Sequence, residues 1–114
     1  MKNIPRIVYT ISLLVFIALA TGCARQHTVQ AHGNELTLSY ENSDAHEVFF
    51  AYSADNFQYM AANREPGGSW QVTIPLHKEF TYFYIVDGAV TLPECPDTVL
   101  DDFGSKNCFY QYGM

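Results

Sequence analysis

The sequence carries little positive charge: twelve acids stand against six lysines and arginines in 114 residues, and two of those six, Lys2 and Arg6, lie at the N-terminal end. Beyond residue 22 only Arg25, Arg64, Lys78 and Lys106 remain. So few cations are available to neutralise phosphates that a nucleic-acid partner is disfavoured, and none is expected. Four basic residues against twelve acids give that part of the chain a net charge of −8, which favours solubility. Long apolar runs are also missing, since the stretch from Ile11 to Ala20 is about half of the roughly 20 residues that a spanning helix needs. No window repeats apolar residues with a 3.6-residue period, so amphipathic helices are not expected. Gly-x-Ser-x-Gly, His-Glu-x-x-His and phosphate-loop motifs are absent. His27, His32, His46 and His77 have neither i, i+4 nor His-x-His spacing, so they read as solvated side chains and not as a metal site. The acids Glu94, Asp97, Asp101 and Asp102 lack the spacing of an EF-hand loop. A pair of carboxylates that cleaves a glycoside also needs a cleft around the substrate, and so small a domain offers little wall. The expectation is a protein without catalysis, metal or cofactor.

What the N-terminal end does contain is a basic start, a short apolar segment and then Ala20-Thr21-Gly22-Cys23. Small residues after such a segment mark an export signal. Their placement directly before a cysteine resembles the lipobox of bacterial lipoproteins, although Leu19 lies one position further back than the usual leucine and Ala20 takes its place. The resemblance implies a signal peptide over residues 1 to 22 and Cys23 as the lipidated first residue of the mature chain. The alternative is an ordinary secretory signal that ends near a cysteine. Residues 23 to 33 are polar and unpatterned and read as a lipidated N-terminus and flexible tether, with a single domain over 34 to 114. A lipid on Cys23 leaves Cys95 and Cys108 as an even pair, which in an oxidising compartment reads as a disulfide. Two unrelated thiols are the alternative; zinc would find only half a site.

From residue 36 onward short alternating segments succeed one another. Leu36, Leu38 and Tyr40 alternate, as do Val48, Phe50 and Tyr52, then Phe57 to Met60, then Trp70, Val72 and Ile74 between Pro66-Gly67-Gly68 and Pro75. Phe80 to Val86 meets Asp87-Gly88 and continues as Ala89-Val90-Thr91, the pattern of a two-residue type I′ hairpin. An irregular loop over Leu92 to Ser105 precedes a last strand over Asn107 to Tyr112. About seven strands without helices predict an all-β, immunoglobulin-like sandwich. Trp70, Tyr82, Tyr84 and Val86 are expected in its core, with the tyrosine hydroxyls at the surface.

Glu47-Val48-Phe49-Phe50, Ser53-Ala54-Asp55-Asn56-Phe57, Gly68-Ser69-Trp70 with Ile74-Pro75-Leu76, Tyr82 to Gly88, and Phe103-Gly104-Ser105-Lys106-Asn107 together carry a resemblance over residues 47 to 112. The segment resembles the early-set, immunoglobulin-like glycogen-binding domains of the AMP-activated protein kinase β subunit and of branching and debranching enzymes. In glycan-binding members of that family tryptophans stand where this chain has Phe57 and Val90, and a lysine where it has Phe83. The resemblance therefore implies half a sugar site: Phe57 can stack on a ring and Val90 cannot, while Phe103, Ser105 and Asn107 match the apolar, hydroxyl and amide positions. The candidate ligand-binding residues are thus Phe57, Phe83, Phe103, Ser105 and Asn107. The expected protein is a non-catalytic, lipid-anchored envelope module that shows an aromatic sheet face to a protein partner, with an α-glucan as the alternative ligand. In a Gram-negative host its place would be the periplasmic face of the outer membrane.

Overall fold

The computed structural model describes residues 27 to 113. Residues 1 to 22, read as a signal peptide, Cys23 and residues 24 to 26, read as tether, lie outside the described residues. Ten short strands form two antiparallel sheets, giving an all-β, immunoglobulin-like sandwich with one 3-10 turn at Ser53–Asp55. The smaller sheet runs β1 (His27–His32), β2 (Glu35–Glu41), β6 (Ser69–Pro75) and β5 (Asn63–Arg64) in spatial order. The larger runs β4 (Met60–Ala61), β3 (Val48–Tyr52), β7 (Glu79–Val86), β10 (Lys106–Gln111) and β9 (Thr98–Leu100), with β8 (Ala89–Thr91) against the C-terminal half of β7.

Alternation along each strand decides which residues face inward. Register pairs Leu36 with Ile74, Leu38 with Val72 and Tyr40 with Trp70, so the smaller sheet offers three apolar rows to the core, all buried. Val48, Phe50 and Tyr52 on β3 and Phe80, Tyr82 and Tyr84 on β7 face them from the larger sheet. Rings dominate this interior: Phe50 lies 5.3 to 5.6 Å, centroid to centroid, from Tyr52, Tyr82 and Tyr84. Such tilted and offset contacts each contribute about 0.5 to 1.5 kcal/mol beyond area burial. Trp70 is buried as its alternation implies, and its indole N–H donates to the Asn42 carbonyl at 3.0 Å.

Asp87 (φ 49°) and Gly88 (φ 85°) both adopt the left-handed conformation that a type I′ turn requires. Asp87 has a second task, because its Oδ1 accepts the backbone N–H groups of His46 and Glu47 at 2.8 Å each. Those bonds tie the hairpin to the entry of β3 and hold the carboxyl below its usual range, the Glu47 N–H contributing most. Gly68 is required for a different reason: at φ +88° a Cβ would sit 2.6 Å from Ser43 Cβ and 2.8 Å from Ser43 Cα.

Cys95 and Cys108 form a disulfide with 13 residues of sequence separation and Cα atoms 5.9 Å apart. It fastens the segment before β9 to the buried face of β10.

Five expectations need correction. Residues 27 to 32, read as tether, form β1, paired residue by residue with β2 from His27–Tyr40 to His32–Glu35. Polar side chains concealed the strand, because only Val29 and His27 turn toward the core while the rest of this edge faces water. His27 is accordingly not solvated: its ring stacks on Tyr82 at 5.6 Å and meets Tyr40 and Tyr84 edge-on, and burial lowers its pKa to about 4. Tyr84, whose hydroxyl was expected at the surface, is fully buried, and that hydroxyl hydrogen-bonds His27 Nε2 at 3.1 Å in place of water. His77 likewise packs on Tyr52 and Phe80. Finally, the loop over residues 92 to 105 contains β9, and residues 57 to 59 are a turn and not part of a strand.

Candidate functional site

The outer face of the larger sheet departs from what an antiparallel sandwich usually shows to solvent, where polar residues alternate with buried apolar ones. Between the inward residues of β3 and β7 lie Phe49, Ala51, Phe83 and Ile85, paired Phe49 to Ile85 and Ala51 to Phe83. Val90 pairs with Ile85 from β8, and Val99 of β9 pairs with Asn107 of β10. The β7–β10 register, Phe109 to Thr81 and Cys108 to Tyr82, places Asn107 one step on, beside Phe83. One row thus runs Ala51, Phe83, Asn107, Val99 across four strands, so the outer face of this sheet is largely apolar as well, with Asn107 as the polar member of the row.

The turn after β3 covers part of that face. Asn56 (φ 53°) and Phe57 (φ 58°) take consecutive left-handed conformations, and the Phe57 N–H donates to the Tyr52 carbonyl at 2.9 Å. For a bulky residue such a conformation costs on the order of 1–3 kcal/mol and persists only where its surroundings enforce it. Here the Phe57 ring lies parallel to Phe83, centroids 5.7 Å apart and planes at 15°. The turn's base is pinned by the Thr81 N–H, which donates to Ser53 Oγ at 3.0 Å. Tyr59 extends the cover over Phe49 at 6.0 Å. These rings explain why Ala51 and Ile85, although outward, are buried.

On the opposite bank the β9–β10 turn is built by Asp101. Its Oδ1 accepts the N–H groups of Phe103 and Ser105 at 2.9 Å each, and its C=O accepts the Gly104 N–H at 3.1 Å. This Asx arrangement, with Gly104 at φ 83°, lifts Phe103 clear of the sheet. Phe103 is 95% exposed. Phe57, Phe83, Phe103 and Asn107 with Asp101 and Asp102 line one surface groove of about 410 Å³.

Four of the five candidate ligand-binding residues are therefore brought together, and the fifth, Ser105, is exposed and serves the turn through its backbone. Sequence reasoning missed Asp101 and Asp102 as residues of this groove. The Asp-x-x-Gly spacing of Asp101 and Gly104 was the available signal for the turn. A second, smaller cavity of about 230 Å³ opens between β1 and β10, lined by His27, Val29, Tyr82, Pro96 and Tyr110 among others. Among the described residues no three His, Cys, Asp or Glu side chains are grouped so as to hold a metal ion. The chemistry available in the groove is apolar contact, ring stacking and hydrogen bonding to carboxylate and amide.

Comparison with the models of known protein families and with curated proteins finds no match to this chain.

Proposed function

We propose that the protein is a non-catalytic, lipid-anchored module of the cell envelope that binds a protein partner through the aromatic outer face of its larger sheet. The observation that carries this reading is the groove itself: three phenylalanines converge from a strained turn, a strand and an Asx turn, and one of them stands almost wholly in solvent. A contiguous apolar surface with a polar rim marks an interaction site in a water-soluble domain. Cys23 after Ala20-Thr21-Gly22 supports the anchor, and the Cys95–Cys108 disulfide supports an oxidising, exported setting.

The α-glucan alternative is favoured by one specific observation, the meeting of Phe57, Phe103 and Asn107 in a single groove, a ring platform beside a hydrogen-bonding edge. Against it, Phe83 spends one ring face on Phe57, no lysine replaces it, and Val90 offers no stacking surface. Electrophoresis of the protein through gels containing glycogen or starch separates the two readings. Unretarded migration is expected; strong retardation that disappears in Phe57→Ala would move the function to carbohydrate. The anchor has its own test, since Cys23→Ser should release the protein from membranes, and membrane fractionation like wild type would contradict lipidation.

A further inference from the structure

We infer that the groove continues along the free edge of β9 and takes an extended segment of the partner, with alternating apolar and basic side chains, as an added strand. This rests on the protein-binding reading above and specifies what that partner presents.

Among the described residues β9 pairs only with β10 and so ends the larger sheet. Two backbone bonds flank that pairing, Asp101 N–H to Ser105 C=O at 2.8 Å and Phe109 N–H to Asp97 C=O at 2.9 Å. Hydrogen-bonded pairs alternate in an antiparallel ladder, so Asp97, Val99 and Asp101 turn their backbone groups toward β10. Thr98 and Leu100 turn theirs outward, and all three strand residues are exposed. Natural sheets guard such edges by short length, by charge (lysine above all), or by proline, a bulge or a covering segment. Residues 97 to 102 contain no lysine or proline and the register to β10 is unbroken, so this edge is guarded by its three-residue length and by the charge of Asp97, Asp101 and Asp102, which repels acidic strands and admits basic ones. Of the other terminal strands, β4 and β5 are shorter still, at two residues each, and β1 carries polar outward side chains.

Side chains around this edge define what fits it. Val99 pairs with Asn107 on the groove side of the sheet, whereas Leu100 lies on the opposite side and is 67% exposed, which suits the apolar side chains of an incoming strand whose basic ones face the groove. Asp97, Asp101 and Asp102 lie along the same segment, with Glu94 just before it, and Lys106 pairs with Leu100 from β10. An arginine reaching the groove meets the open face of Phe103 and the Asp102 carboxylate together, combining cation–π attraction with a charge-assisted hydrogen bond. A second copy of this chain would set like carboxylates against one another across the edge, so self-pairing is opposed by the same charges.

The test uses the purified protein and a fluorescein-labelled peptide of sequence Arg-Val-Arg-Val-Arg-Val, read by fluorescence anisotropy. The inference expects saturable binding that weakens with added salt, is lost when glutamate replaces arginine, and drops at least tenfold when alternate peptide amides are N-methylated. Leu100→Pro, which deletes an outward N–H, should reproduce the N-methyl loss while the Cys95–Cys108 bridge and the β-sheet circular dichroism persist; the N-methylated peptide needs no variant and stands even if that substitution disturbs folding. Equal affinity for methylated and unmethylated peptides would overturn strand addition. Equal or tighter binding of the glutamate peptide would overturn the charge assignment. Either result, obtained while a photo-cross-linker at position 103 still captures a discrete envelope partner, refutes this inference and leaves the binding-module reading intact; retardation by glycogen would refute both.

Discussion

Lowering the pH from 7.5 to 5 should destabilise the domain through one residue, His27. Its ring is enclosed by Tyr40, Tyr82 and Tyr84, and with no anion among those contacts burial lowers its pKa from 6.5 to about 4. The folded state therefore holds a neutral imidazole at pH 5, whereas the unfolded chain takes up a proton below 6.5. A depressed histidine pKa gives stability that is full above 6.5, falls as the pH drops toward 4, and levels off below that. Linkage over those two values gives a loss of about 2 kcal/mol between pH 7.5 and 5, or roughly 10 °C in Tm for a domain of this size. Asp87 does not interfere, because its carboxyl is depressed and its contribution is lost only at still lower pH. Urea unfolding of wild type and His27→Gln at both pH values is the assay. The variant should be less stable at pH 7.5, having lost ring packing, but should lose almost nothing more by pH 5. If wild type and variant fall in parallel, His27 is not held neutral in the interior, and the docking of β1 on the core is wrong.

Three other substitutions probe separate parts of the account. Replacing Cys95 and Cys108 together by alanine should cost about 3 kcal/mol in the chain-entropy picture, measured by denaturant midpoint, with the loss concentrated in β9 and its turn by hydrogen exchange. Gly68→Ala combines φ +88° with a Cβ driven into Ser43, and should cost roughly 2 kcal/mol or more; a cost near zero would mean that Ser43 does not approach Gly68 as closely as described. Phe103→Ser should leave the unfolding midpoint within about 0.5 kcal/mol of wild type, since the ring is almost fully in solvent, while abolishing partner binding.

How much of this was legible in the sequence depended on whether one short pattern decided the local structure. Trp70, Val72 and Ile74 alternate cleanly between turn residues, and Asp87-Gly88 permits little besides a tight hairpin; both were readable and both stand in the fold. Even cysteine pairing sufficed for the disulfide. β1 was not readable, because an edge strand with one side in water buries only Val29 and His27, and its identity comes from the β2 backbone that it pairs with. β9 was hidden by the prolines and acids around it, which mark loops in general but here flank a three-residue strand. The groove was partly legible. Phe57, Phe83, Phe103 and Asn107 were singled out as candidates, yet nothing local announced that Phe57 would occupy a left-handed turn, or that Ala51 and Ile85 would make the outer face of the sheet apolar. That face results from register between strands distant in sequence.

The central claim, that this outer face is where the protein binds a protein partner, is tested most directly by incorporating a photo-reactive phenylalanine analogue at position 103 and, as a control, at position 73 on the outer face of the smaller sheet. After irradiation of intact cells, the account predicts a discrete protein adduct from position 103 that is absent from position 73. Adducts of equal yield from both positions, or none from position 103 while the protein is folded and correctly placed, would contradict it.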